Sequence, residues 1–374
     1  MKKILFISSS RADYGLLRDV VLETQKINKE TYLLVTGSHL SESFGKTISE
    51  IKKDNIKNII KKKLLDKNFS DLDVSNYVAR SISLTAEVIL KKKPDVVVIL
   101  GDRYELLGSA IAAMTFRVPI AHIHGGEVTH GAYDDSIRHS ITKISHLHFP
   151  IHDRYKKRLI QLGENPKTIF NYGGLGAHSI SKSELLTKSY LEKNLNIDLN
   201  KKLVLVTFHP VTLEKNKSEF QIKNLIRFLK TLKDMTIIIT SSNFDNENKV
   251  IKKEFLKFSR KKKVYFFKSL GNTTYVSLMK LAYLVIGNSS SGVLETPSFG
   301  TTTINIGSRQ NGRIISKNII NCDYSFESIC RAFKKIKKGK KKINNPFFKK
   351  ATPKKIAKKI VNFKYELKKK FYDI

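Results

Sequence analysis

The stretch PDVVVILGDRYELLGSAIAAMTFRVPIAHIHGGE, residues 94–127, decides the fold. DVVVIL is a short apolar run, rich in β-branched residues, that closes on Gly101-Asp102-Arg103 and reads as a buried strand. ELLGSAIAAMTF has helical spacing, and PIAHI is a second apolar run that closes on HGGE. Strand, helix and strand in succession, with nearly continuous apolar strands, form the unit of a parallel sheet covered on both faces.

The alternation continues outward in both directions. KILFIS, YLLVTG and LHFPI read as further strands, and GLLRDVVLETQKI, DVSNYVARSISLTAEVILKKK and DDSIRHSITKI as further helices. After NYGGLGAHSI, residues 171–180, a polar Lys/Ser/Asn-rich stretch extends to about Lys202. The pattern then restarts with LVLVTFHP, MTIIITSSN, VYFFKS, LVIGNSSSG and TTTINIG, with helices near 217–233 and 246–260. We read an α/β chain of two Rossmann-like, doubly wound domains, residues 1–178 and 179–350. A basic C-terminal helix within 351–374, near 352–371, is expected to pack back on them. Polar signals recur just past strand ends: SSSR, GDR, HGGE, HP, SSN, NSSSG and SRQ. Open α/β sheets bind ligands beyond the carboxyl ends of their strands, so both domains are expected to face one cleft.

Composition narrows the function. None of the 374 residues lies in a run of eighteen uninterrupted apolar positions, so no membrane span is expected. MKKILFISSSRADYG imitates a secretion signal, but ILFI is too short for a signal core and reads as the first strand. Cys322 and Cys330 make no disulfide framework, which suits a reducing cytoplasm. The net charge of +36 would fit a polyanion binder. Yet lysine supplies 56 of the 69 basic residues and is spread along the whole chain, including a dense tail at 334–342. Nucleic-acid readers concentrate charge on one element and favour arginine, so no nucleic-acid partner is expected. Against that lysine background Arg11, Arg103, Arg138, Arg309 and Arg313 stand out, because each falls inside a polar motif.

Two nucleotide motifs are missing. Gly45-Lys46-Thr47 lacks the glycine a phosphate loop needs, the preceding one being Gly37, and no GxGxxG follows the first strand. Instead, GNSSSGVLETPSFG places Asn288, Ser289, Ser290, Ser291 and Gly292 between a strand and a helix start. Free N–H groups and hydroxyls there would receive a diphosphate, and Glu295 could accept hydrogen bonds from a ribose diol. An ordinary serine N-cap is the plainer alternative. Arg309 would suit the same anion.

HIHGGEVTHGAYDDSIRH, residues 122–139, admits three readings. His122 and His124 on one strand face, with Asp134 or Asp135, would make a metal set, but no HExxH or cysteine cluster accompanies them. A histidine in an apolar strand is also a common hydrogen-bonded core residue. The third reading is acid/base chemistry: Asp102, Glu127 and Asp134-Asp135 are carboxylates aimed the same way, and neighbouring carboxylates push their pKa values apart.

Together RADYG, GDRYE, HIHGGEVT-x-GAYDDSIRHSITK, HPVT, GNSSSG-x-x-E-x-PSFG and INIGSRQNGR, in order from residue 11 to 313, resemble the hydrolysing UDP-N-acetylglucosamine 2-epimerases of bacterial sialic-acid biosynthesis. They are similar also to the epimerase half of the animal bifunctional enzyme. The resemblance implies a glycosyltransferase-B-like fold and a homodimer or homotetramer. It also implies conversion of UDP-GlcNAc and water to N-acetylmannosamine and UDP, with no metal, nicotinamide or other cofactor. Position by position, Asp102, Glu127, Asp134 and Asp135 match catalytic carboxylates, and His209 matches an active-site histidine assisting the departing phosphate. Arg11, Asn243, Ser289, Ser290, Glu295 and Arg309 match nucleotide contacts, though Phe244 departs from the small residue often found beside Asn243. Arg103 and Arg138 are placed with the substrate-binding set. Some family members act on UDP-N,N'-diacetylbacillosamine, on the route to legionaminic acid. A glycosyltransferase or a sugar-nucleotide binder on the same fold is the alternative from another class, and neither needs all four carboxylates.

Overall fold

The structure is a computed structural model that describes residues 1–41, 47–64, 70–130, 132–211, 214, 216–241, 248–337, 339 and 343–374. The chain forms two compact units. One comprises Met1–Glu127, Asp134–Ser179 and Phe347–Ile374, and the other Val128–Tyr133 and Ile180–Pro346.

The first unit holds β1 (Ile4–Ser8), β2 (Thr31–Val35), β3 (Asn58–Lys61), β4 (Val96–Leu100), β5 (Ile120–Ile123) and β6 (Leu147–Phe149). They form one parallel sheet in the order β3-β2-β1-β4-β5-β6. Its helices are α1 (Arg11–Ile27), α2 (Ile48–Lys52), α3 (Asp71–Lys92), α4 (Tyr104–Thr115), α5 (Asp134–Ile144), α6 (Asp153–Gln161) and α7 (Leu175–Lys182), the last leading into the second unit. Strand residues alternate between two cores. Ile4, Phe6, Val96 and Val98 pack with Leu17 and Val20 of α1. Leu5, Ile7, Val97 and Ile99 pack with Leu84 and Val88 of α3, Leu106 of α4 and Ile141 of α5. Each such side chain contributes about 1.5–3 kcal/mol when taken out of water.

The second unit repeats the plan with α8 (Lys188–Leu195), β7 (Lys202–Thr207), α9 (Ser218–Leu229), β8 (Met235–Thr240), α10 (Asn248–Phe258), β9 (Val264–Phe267), α11 (Asn272–Leu281), β10 (Leu284–Gly287), α12 (Ser291–Leu294), β11 (Thr302–Ile306), β12 (Ile319–Cys322) and α13 (Phe326–Lys334). The strand order is β12-β11-β10-β7-β8-β9, again all parallel. Gly287 has a φ of 141°, and a Cβ there would lie 1.9 Å from the Thr207 carbonyl oxygen, so only glycine lets β7 and β10 meet at that point.

In both sheets the strand order reverses beside the first strand, between β1 and β4 and between β7 and β10. Such a switch point opens a crevice at the carboxyl ends, and GDR and NSSSG lie there. Four elements depart from expectation. The first helix starts at Arg11, earlier than its apolar pattern, because Ser10 and Asp13 form a capping box. β3 and β12 escape the pattern because they are short edge strands. The C-terminal helix, α14 (Thr352–Asn362), packs Ile356 and Ile360 on the α1 face of the first unit. It stops short of 371 because Lys2 Nζ binds the carbonyl oxygens of Val361 and Phe363, and Phe363 and Tyr365 turn onto the core.

Candidate active site

In the first unit, the ends of β4 and β5 and the start of α5 are drawn together by one side chain. Arg138, one turn into α5 and 1% exposed, donates from Nη1 to the Glu127 carbonyl oxygen at 2.9 Å and to Asp135 Oδ1 at 3.1 Å. Its Nη2 donates to Asp102 Oδ2. Burial opposes its charge, but Asp102, Glu127 and Asp135 outweigh that and hold the guanidinium protonated more firmly than usual. Asp134 and Asp135 occupy the first helical turn, where the helix dipole favours carboxylates.

The HGGE turn places Glu127. His124 leaves β5 with a φ of 70°, and Gly126 follows with a φ of 78°. A Cβ on Gly126 would lie 2.6 Å from the Tyr155 carbonyl oxygen, so the tight return requires glycine. The buried Glu127 carboxylate then meets His124 Nδ1 at 2.8 Å.

His122 is a core residue. Its Nε2 donates to the Gly101 carbonyl oxygen at 2.8 Å, and its Nδ1 pairs with Thr142 Oγ1 at 3.1 Å. Burial lowers its pKa to about 3, so it is neutral and buttresses the loop carrying Asp102. Among the described residues no three His, Cys, Asp or Glu side chains converge as a metal set.

Arg103 turns to its own helix: Nε donates to Glu105 at 2.6 Å, and the guanidinium lies over the Tyr104 ring. Arg11, the first residue of α1, is half-buried. Its helix end is fixed by Asp13, whose Oδ2 accepts from the Ser9 and Ser10 amides at 3.1 and 2.9 Å.

In the second unit, Asn288 past β10 binds the backbone of His209 past β7, accepting from its N–H at 2.7 Å and donating to its carbonyl oxygen at 2.8 Å. The Asn288 carbonyl oxygen accepts from Arg309 Nη1 at 3.2 Å and from Gln310 Nε2 at 2.9 Å. His209 is 5% exposed, and burial together with Arg309 holds its pKa well below the usual value, so its imidazole is neutral. Glu214 orders the neighbouring loop by accepting from Ser308 Oγ at 2.5 Å.

The serine run is not an ordinary cap. Ser290 stands at the N-cap of α12 and makes no capping bond. Ser289 Oγ pairs with Ser291 Oγ at 2.9 Å, which pairs with Tyr275 Oη at 2.8 Å. α12 is a single turn, so its dipole is small. Burial pushes the Glu295 carboxyl up to about 7. Asn243 and Phe244 lie outside the described residues, as do Gly131, Thr212, Gly45 and Lys46.

Sequence reasoning missed the His124–Glu127 pair, the support His122 gives the Gly101 loop, and Glu214. Histidines at alternating positions near a strand end were the available signal for the first two. Among the described residues no helix is long and apolar enough to cross a membrane.

Comparison with known proteins places the chain. The GDP/UDP-N,N'-diacetylbacillosamine 2-epimerase (hydrolyzing) of Campylobacter jejuni is 42% identical, over 92% of this chain and 89% of that protein. A polysialic acid biosynthesis protein of Escherichia coli is 38% identical over 100% of this chain and 98% of its own. The crystal structure of a UDP-GlcNAc 2-epimerase from Neisseria meningitidis bound to UDP-GlcNAc superposes with a TM-score of 0.82 at 18% identity. That match covers 96% of this chain and all of the other, and at this identity it shows the glycosyltransferase-B-like pair of Rossmann-like folds. The family model described as UDP-N-acetylglucosamine 2-epimerase matches residues 22–361, and the chain therefore belongs to that family, the enzymes that epimerise UDP-sugars at C2.

Proposed function

We propose that this UDP-sugar 2-epimerase is hydrolysing, converting UDP-GlcNAc and water to N-acetylmannosamine and UDP. The observation that carries the reading is the gathering of Asp102, Asp135 and the Glu127 backbone around one buried Arg138. A base removes the C2 proton as the C1–O bond to UDP breaks, leaving a 2-acetamidoglucal. Water then adds its hydroxyl to C1 while C2 takes a proton on the opposite face. Two proton-transfer groups are needed, and Glu127 and Asp102 take these roles, with Asp134-Asp135 as second base or sugar anchor. Arg138 is held by protein partners and acts by positioning, while Arg103, whose Nε is held by Glu105, stays with the substrate-binding set.

The second unit holds the nucleotide in this reading. Arg309, Ser289 and Ser290 meet the diphosphate and Glu295 accepts from the ribose, while Arg11 is a nucleotide contact by family match. His209, being neutral, assists the leaving phosphate by donating a hydrogen bond. Asn243 is a nucleotide contact by family match. The scheme needs no metal or nicotinamide. A homodimer or homotetramer in the cytoplasm completes the proposal, and light scattering on the eluted protein reads the oligomer.

A second reading rests on the 42% identity with the Campylobacter jejuni relative, whose name specifies diacetylbacillosamine. The same elimination and hydration would then act on UDP-N,N'-diacetylbacillosamine. The test is UDP release from both sugars side by side, with E127Q and D102N as controls. Release from UDP-GlcNAc, lost in both variants, supports the first reading; release from the diacetamido sugar alone supports the second. A glycosyltransferase or binder would release UDP from neither by water alone.

A further inference from the structure

The family match ends at residue 361, yet the residues beyond it reach the helix that carries Asp134 and Asp135. Lys369 Nζ donates to the carbonyl oxygens of Thr142, Lys143 and Ser145 at 3.3, 2.7 and 2.7 Å. They lie at and just past the carboxyl end of α5, where the helix dipole is negative and a helix leaves carbonyls without internal partners, although that of Thr142 also accepts from the Ser145 N–H at 3.0 Å. An ammonium brings three donors and the complementary charge.

The same ammonium lies 2.7 Å from Glu164, a carboxylate only 1% exposed. Glu164 also meets Lys143 at 3.0 Å and His148 at 2.9 Å. Burial would raise its pKa, but His148 and Lys369 outweigh that and bring it to about 2, so it stays ionised. The chain after Lys369 is seated too. Tyr372 N–H donates to the Gly163 carbonyl oxygen at 2.9 Å, and the Phe371 ring lies 4.7 Å from the Lys143 ammonium. A Cβ at Gly163, where φ is 79°, would come within 2.4 Å of that ring. This is a docked segment, unlike the solvated lysines around it.

Thr142 links the clamp to the other side of the site. It presents its carbonyl to Lys369 and its hydroxyl to His122, which holds the Gly101 carbonyl beside Asp102. α5 is one continuous helix rising about 1.5 Å per residue, so a shift at its carboxyl end is carried along its axis to Arg138, Asp135 and Asp134.

The geometry points to Lys369 as a positioning residue for the reaction: it pins the carboxyl end of α5 against Glu164 and thereby fixes the carboxylates at the other end. The inference rests on the proposed role of those carboxylates.

The test compares full-length wild type with K369M and K369R, using K368M and K370M as charge-matched controls at exposed positions. Two quantities are read: amide hydrogen exchange across residues 134–145, and kcat and KM for UDP release. K369M is expected to speed exchange in α5 about tenfold or more. Its kcat is expected to fall roughly 10- to 100-fold, as for a displaced catalytic group, with KM within about twofold. K369R should recover most of both, and the controls should match wild type. If K369M does not stay folded, K369Q carries the same comparison. Unchanged α5 exchange and kcat overturn the proposal, as does a lowered Tm with kcat per folded molecule intact. If wild type releases no UDP from either sugar, the functional reading falls, and unchanged exchange in K369M would separately overturn the clamp.

Discussion

Asn288 binds the main chain of His209 from both sides, its amide oxygen 2.7 Å from the N–H and its amide nitrogen 2.8 Å from the carbonyl oxygen. The pair joins the loops after β7 and β10 at the switch point of the second sheet. It fixes where a neutral imidazole stands relative to the serine run and Arg309. Asn288 is fully buried, so N288A leaves two backbone groups without these partners, at about 1–3 kcal/mol each. Calorimetric titration should show UDP affinity falling more than about tenfold, alongside a lower Tm. Unchanged affinity would mean that the pair does not organise the nucleotide site.

Arg138 should be intolerant of change in a different way. R138M removes the partner of Asp102 and Asp135, and breaking such a buried ion pair costs about 3–5 kcal/mol. R138K keeps the charge without the planar fork, so it should fold better than R138M while kcat falls roughly 100-fold. Denaturant unfolding and initial rates read the two effects separately. Wild-type turnover in R138K would show that the carboxylates do not depend on its geometry.

Glu295 predicts a pH dependence of nucleotide binding. Its carboxyl is raised to about 7, so the folded protein holds a proton that the unfolded chain has released. That costs stability as pH rises from the carboxylate range toward 7. Ribose hydroxyls donate to the ionised form, so UDP should bind more tightly as pH rises from 6 to 8 and should release a proton on binding. E295Q should retain only the titration of the nucleotide itself. Identical pH profiles for wild type and E295Q would remove Glu295 from the site.

His122 predicts a pH dependence of stability of the opposite sign. Its pKa is depressed from the usual 6.5 to about 3, so between those values the unfolded state binds the extra proton. Its contribution is complete above pH 6.5 and is lost as pH falls toward 3, with a maximal slope of about 1.4 kcal/mol per pH unit. The stability of H122Q should fall less steeply between pH 6.5 and 4.5. Parallel curves would mean that another histidine carries the effect.

What the sequence made legible was whatever depends on local pattern. The continuous apolar runs of β1, β4, β7 and β10 marked buried parallel strands, and the polar residues just beyond them marked the candidate site. What it hid depends on distant partners. Arg138 reads as a substrate-binding residue, and nothing in its local sequence shows that Asp102, 36 positions away, closes on it. The last helix looks continuous until Lys2 takes its terminal carbonyls. NIIK in β3 carries too little pattern to announce itself, because an edge strand tolerates its lysine. Lys369 is one lysine among many, and only its contacts distinguish it.

Elimination followed by hydration at C2 leaves an isotopic mark that proton NMR in heavy water reads. Wild type with UDP-GlcNAc is predicted to give UDP and N-acetylmannosamine carrying deuterium at C2. UDP released together with unepimerised, undeuterated sugar would be plain hydrolysis and would contradict the mechanism.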